Sequence, residues 1–375
     1  ARIAHLPRRR MWLTTVVTPT VTTHSINPNL RFPGRAMKLA TKLHLFMLGL
    51  ALSLTSVIVS AQTTTVIKFS HVSPADSPKG KAALRFKELV ERNSQRRIRV
   101  DVYPNNLLYK ESDELEALQL GAVQMLAPSL AKLAQFGVQD FEVFDLPFAF
   151  TDRESVARVT EGPIGKTLLR KLDSKGMVGL AYWDNGFKIM SGNKLLRVPS
   201  DFSGLAMRIH SSKVLSWQME ALGAIPLILD AHEVYPALQG GVVDGAETSP
   251  VNFYARKWYE VQSNVTISNH GYLGSAVVVN KKFWDGLPSD LRNTIDLAMR
   301  EATVYANNLA EEENAAALQA IKKLKKVKVY KLTEQETEAW RQALLPVHKQ
   351  LEGRIGKAIV YGVTRDADLR RNTSR

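Results

Sequence analysis

The chain has 375 residues, 45% hydrophobic and 23% charged, with no cysteine and a formal net charge of +14. That length holds one large domain or two lobes, and the missing cysteine excludes a disulfide framework, thiolate metal sites and a cysteine nucleophile. The charge suggests nucleic acid or an anionic surface, but eight basic and no acidic residues lie in 1–61, so the remainder carries only +6.

Those 61 residues read as targeting sequence. Lys38 and Lys42 after Met37 form a positive n-region, Leu45 to Leu54 an apolar core, and Val59-Ser60-Ala61 a small-residue cleavage site. The run is short and is broken by Gly49 and Ser53, so 37–61 is expected to be a signal peptide cleaved after Ala61 rather than a membrane anchor. Residues 1–36 have no apolar period and are expected to be a disordered upstream extension. No later apolar run reaches membrane length, so the mature chain is expected to be exported and periplasmic.

From there strands and helices alternate. Val66 to Ser70 is a β-rich run, and Ser77-Pro78 opens a helix that keeps Ala82, Ala83, Phe86, Leu89 and Val90 on one face. Arg97 to Tyr103 alternates polar and apolar, Glu111 to Leu120 is helical up to Gly121, and Val123 to Ala127 is a strand. This β-α-β-α-β order predicts a largely parallel sheet covered by helices. A helix at Ile164 to Leu172, strands at Met177 to Trp183 and Leu205 to Ile209, and helices at Lys213 to Leu222 and Glu233 to Leu238 follow. No composition break marks a linker, which points to two interleaved lobes. Leu291, Ile295, Ala298, Ala302, Tyr305 and Leu309 then set a helix behind Ser289 that persists to about Leu324. At 1.5 Å per residue it is roughly 50 Å long, longer than one lobe. A dimerising coiled coil is the alternative, but the charges do not sit in regular heptad flanks. A last helix spans about Glu334 to Leu351.

Compact catalytic motifs are absent. Gly162 to Thr167 looks like a phosphate loop, but Thr160 stands where that motif needs its first glycine. His71, His210, His232, His270 and His348 form no HExxH or close pair, and there is no nucleophile elbow. No cofactor or metal is expected, and the chain is expected not to be an enzyme. An exported α/β protein of this kind suggests a receptor that holds a small solute in a cleft with a few polar groups. Arg208, inside the apolar run Leu205 to Ile209, is the first candidate, because a guanidinium fork suits a carboxylate and a strand charge is costly unless paired. Lys188 poses the same question.

The chain from about Val66 to Leu351 resembles the solute receptors of tripartite ATP-independent periplasmic (TRAP) transporters, in their dicarboxylate-binding branch. The resemblance is carried, in order, by Phe69-Ser-His-Val72, Pro78-Lys-Gly80, Tyr103-Pro-Asn-Asn106, Leu118 to Ser129, Ala181 to Lys188, Gly204 to Arg208, Glu233 to Gln239, Val242 to Glu247, Ser268 to Gly271 and Asn280 to Pro288. It implies a periplasmic-binding-protein-like fold: two α/β lobes, a central cleft, crossing hinge strands and a long C-terminal helix spanning both. The implied division is lobe I at 62–185 and 274–313, lobe II at 186–273 and 314–352, and a tail at 353–375.

The resemblance further implies a small organic acid as ligand, a four-carbon dicarboxylate above others, and docking on small and large membrane subunits. A receptor for an ATP-driven importer, a periplasmic sensor and a secreted two-lobe enzyme are the alternatives. Arg208 would clamp the carboxylate, Lys188 would be a second cation and Trp183 a cleft wall. Ser129, His71 and Lys79 would face the ligand from the other lobe, and Thr248, Asn252 and His270 complete the expected set. Thr248 stands where the family commonly has Asn, Ala231 where it has an aromatic, and His210 where the branch often has Gln. These departures leave the exact acid open.

Overall fold

The computed structural model describes residues 64–373, with side chains through residue 365. The expected extension at 1–36 and leader at 37–61 lie outside the described residues. The described chain belongs to one compact unit beginning at Gln62.

The first part of the chain lays down β1 (Thr65–Ser70), α1 (Pro78–Asn93), β2 (Ile98–Tyr103), α2 (Glu114–Gln119), β3 (Met125–Leu126), α3 (Leu130–Gln135), α4 (Arg153–Thr160), α5 (Pro163–Lys171) and β4 (Met177–Phe187). The second part adds β5 (Ile189–Gly192), β6 (Ala206–Ile209), α6 (Lys213–Ala221), β7 (Ile225–Ile228), α7 (Val234–Gln239), β8 (Gly245–Thr248), α8 (Pro250–Ala255) and β9 (Asn264–Ile267). The chain closes with β10 (Tyr272–Asn280), α9 (Lys281–Gly286), α10 (Ser289–Lys323), β11 (Lys328–Lys331), α11 (Glu334–Ile355) and α12 (Lys357–Thr373).

Local chemistry explains the opening. The Ser77 hydroxyl accepts the Gly80 N–H at 3.2 Å as N-cap of α1, and Pro78 follows with a fixed φ that suits a first turn. The spaced apolar side chains of α1 are buried as expected. Helix α2 starts at Glu114, later than the Glu111 start expected. Helices α3 and α4 lack a clear apolar period and escaped the sequence reading. Gly162 precedes Pro163 at the head of α5, so the loop-like run there is a helix start. At α10 the N-cap is Pro288 and Ser289 is the first helical residue, one position from expectation.

The elements build two sheets, ordered β2-β1-β3-β10-β4 and β11-β9-β5-β8-β6-β7. Strands β1, β2 and β3 of the opening segment pair parallel, as their order predicts, but each sheet as a whole is mixed. Strand β10 runs antiparallel to β3 and β4, and β5 antiparallel to β8 and β9. The reason is the crossing. Strand β4 leaves the first sheet and becomes β5 of the second with only Lys188 between them, while β9 returns as β10 through residues 268–271. The Lys188 N–H donates to the Gly271 carbonyl at 2.8 Å, tying the two crossings together. A strand returning beside its partner must oppose it.

Helix α10, 35 residues and roughly 50 Å long, packs on α1 and β4 and also on α8 and β11, so it spans both sheets. Residues 357–373, set apart by sequence as part of a tail, form α12, with Val360 and Val363 buried. Among the described residues, no helix is long and apolar enough to cross a membrane.

Candidate ligand-binding site

A cavity of about 40 Å³ lies between the two sheets, walled from the first by Ser73, Lys79, Glu111, Ser129 and Ser275 and from the second by Arg208, His210, Thr248, Asn252 and Arg256. Arg208 projects from β6, which is paired on both sides by β7 and β8 and therefore rigid. Its side chain is 1% exposed. Its Nε and Nη2 both donate to the Leu229 carbonyl, at 3.0 and 2.7 Å. One edge of the guanidinium is thus pinned to backbone, and Nη1 remains for a ligand oxygen.

Two further cations reach the cavity. Arg256, just past α8, donates to the Val72 carbonyl at 3.2 Å and to Ala231 at 3.4 Å. Lys79 in α1 donates to the Ala127 carbonyl at 2.9 Å, and burial pushes its pKa down to about 8. The one carboxylate on the wall is Glu111. Burial opposes its charge, but Arg208, Lys132 and the Ala231 N–H outweigh burial and hold its pKa below the usual value. His210 is neutral at cellular pH, because burial and then Arg208 lower its pKa to about 3. Two donors, the Ser129 hydroxyl and the Trp258 indole N–H, are buried at the cavity without a protein partner. A buried donor without a partner costs roughly 1–3 kcal/mol, so both are suited to an oxygen-rich guest.

A family model for bacterial extracellular solute-binding proteins, family 7, matches residues 69–354. The chain belongs to that family. The C4-dicarboxylate-binding periplasmic protein DctP of Rhodobacter capsulatus is 56% identical to it over 313 residues, 84% of this chain and 94% of that protein. A TRAP periplasmic solute-binding protein of Shewanella oneidensis, solved with bound succinate, superposes with TM-score 0.79 at 40% identity, covering 80% of this chain and 99% of that one. One from Pseudomonas aeruginosa, solved with bound L-malate, gives 0.74 at 40% identity, covering 76% and 99%. The family and these neighbours are solute-binding proteins and not enzymes, and this chain is a TRAP-type solute receptor.

The receptor brings Arg208, Lys79, Ser129, Thr248 and Asn252 together on the cavity wall, and it puts four expected residues elsewhere. Trp183, expected to wall the cleft, lies instead in the core between the first sheet and α10. Its ring centroid is 5.8 Å from Phe69, and its Nε1 donates to Thr303 at 3.1 Å. His71 is fully buried behind Val72 and Ser73, with neither ring nitrogen partnered.

Lys188 and His270 sit behind the cavity at the two sheet crossings. The Lys188 ammonium donates to Glu247 at 2.8 Å and lies 3.9 Å from Asp145. His270 Nε2 meets the second Glu247 oxygen at 3.0 Å, and its Nδ1 meets the Ser268 hydroxyl at 2.7 Å. Burial lowers the His270 pKa despite Glu247, so the ring is neutral. Against an ionised carboxylate the proton belongs on Nε2, which makes Ser268 the donor to Nδ1.

Sequence reading missed Arg256, Glu111 and Trp258 as wall residues. The Arg256-Lys257 pair and Glu111 look like ordinary helix-end charges. Only their place on the cavity wall, a product of the tertiary fold, separates them from solvated ones.

Proposed function

We propose that this receptor binds a four-carbon dicarboxylate in the cavity between its sheets and delivers it to the small and large membrane subunits of a TRAP transporter. The carrying observation is charge balance. Lys79, Arg208 and Arg256 face the cavity against the single carboxylate of Glu111, an excess of two positive charges. Burying unpaired cations is costly, and a dianion supplies the missing charge. Arg208 is the carboxylate clamp in this reading, with Ser129, Thr248, Asn252 and Trp258 donating to the remaining oxygens. The succinate and malate bound by the two structural neighbours support the same chemical class.

The lobes implied by sequence, 62–185 with 274–313 and 186–273 with 314–352, would close about the crossings near Lys188 and Gly271. Because the cavity wall draws on both sheets, a ligand there favours the closed state over the open one. Delivery occurs outside the cytoplasmic membrane, in keeping with the periplasmic relatives and the expected leader.

Titration calorimetry with succinate, fumarate, malate, glutarate and butyrate tests the assignment. The four-carbon diacids are expected to bind tightest, with butyrate weaker by at least about 100-fold, since it forfeits a charge-assisted contact. Equal binding of butyrate and succinate, or no binding of any four-carbon diacid, refutes it.

A further inference from the structure

Within the proposed site, one pair of residues is built for a group that a plain diacid lacks. A succinate dianion offers only hydrogen-bond acceptors. Arg208, Arg256 and the hydroxyl and amide groups of the wall are donors or adaptable. Glu111 is different: an ionised carboxylate accepts only, and facing a dianion it repels.

Its two oxygens are unequally used. Glu111 Oε2 takes the Ala231 N–H at 3.0 Å, while Oε1 stands 3.9 Å from His210 Nδ1. That gap is too long for a hydrogen bond. It is also short enough for one oxygen atom to lie within hydrogen-bond distance, about 2.8 Å, of both. His210 lies two residues beyond Arg208, just past the end of β6, and both side chains line the cavity. A group that bridges Glu111 and His210 therefore sits beside the carboxylate held by Arg208.

The bridging atom must donate to the carboxylate and can accept from the imidazole N–H. A hydroxyl does both; a methylene does neither. We propose that Glu111 and His210 form a hydroxyl-reading pair that makes this receptor select a 2-hydroxy dicarboxylate over the unsubstituted diacid of the same length. The ligand hydroxyl fills the gap between the two atoms, whereas an unsubstituted diacid leaves Glu111 facing a methylene. Glu111 is in this sense a specificity-determining residue, resting on the dicarboxylate reading above and refining it.

The test is calorimetric, on the purified protein, with L-malate, D-malate and succinate. The wild type is expected to bind one malate enantiomer about tenfold tighter than succinate, the factor that one charge-assisted hydrogen bond supplies. In Glu111→Gln the ratio is expected to fall toward one. His210→Phe, which removes both ring nitrogens, is expected to narrow the ratio as well. If both acids bind the wild type equally, the dicarboxylate reading stands and this inference falls. It also falls if the preference survives in Glu111→Gln. Should Glu111→Gln bind neither acid, Glu111→Asp carries the test. Drawing the carboxylate back by one methylene must cost malate more than succinate, and equal losses overturn the pair.

Discussion

The Lys188 ammonium lies 2.8 Å from the Glu247 carboxylate, with both side chains at most 1% exposed, at the point where the chain passes between its two sheets. Burial alone would raise the Glu247 pKa, but Lys188 and His270 outweigh it and hold the group well below the usual carboxylate range. A buried pair of this kind contributes little net stability, yet losing one member is expensive because the other is left charged and dry.

Lys188→Met is therefore expected to destabilise the receptor by about 3–5 kcal/mol, and the double variant with Glu247→Leu to recover most of that. Denaturant unfolding of the two variants checks it. A depressed carboxylate contributes fully above its unfolded value of 4.5 and loses that contribution as pH falls toward the folded value. The acid-side loss of stability should accordingly shrink in the double variant. A single variant as stable as wild type would remove the pair as a structural element.

Arg208 and Arg256 are expected to differ in what they recognise. Arg208→Lys keeps a charge but loses the planar fork and its two bonds to Leu229, so affinity for every carboxylate should fall by about 100-fold. Arg256→Met should weaken diacids by about tenfold or more while leaving monoacids little changed, because the second charge of a diacid is what it would balance. Calorimetry with succinate and butyrate separates the two. Identical losses for both ligands in both variants would contradict the division of roles.

Ligand affinity is expected to fall as pH rises through about 8. Burial pushes the Lys79 pKa down to about 8, and burial together with Glu111 pushes that of Glu114 up to about 8. Below that pH Lys79 carries its proton and Glu114 is neutral; above it the pair turns negative. The acid stays fully ionised throughout, so a dianion should lose about tenfold in affinity per unit for each proton released. Lys79→Arg keeps the cation and should flatten the profile. Equal slopes in wild type and Lys79→Arg would take Lys79 out of the response.

Gly186 is expected to accept a side chain only with strain. Its φ is 92°, and an added Cβ would lie 2.6 Å from the Asn314 amide nitrogen. That Asn314 donates to the Asn185 carbonyl at 3.2 Å and accepts the Val251 N–H at 3.1 Å, so α10 fastens the crossing strand to α8. Gly186→Ala should cost about 1–3 kcal/mol and also weaken ligand binding, since Asn185 and Asn252 line the cavity. A variant with unchanged melting temperature and affinity would show that the clamp is dispensable.

The apolar spacing of α1 and α10 and the Ser77-Pro78 start were legible because period and capping are local properties. Arg208 was legible too, since a charge inside an apolar strand needs a reason. What stayed hidden depends on distance through space. Lys188 reads as a ligand cation, and only folding shows that Glu247, 59 residues away, engages it. Trp183 reads as a wall and packs on Phe69 instead. Arg256 and Glu111 read as solvated charges until the two sheets close around them. Sequence by itself determined which segments bury an apolar face and which family order they follow. The tertiary structure decided which charges meet one another and which are left facing the cavity, because a charge's partner is set by desolvation and geometry rather than by its neighbours along the chain.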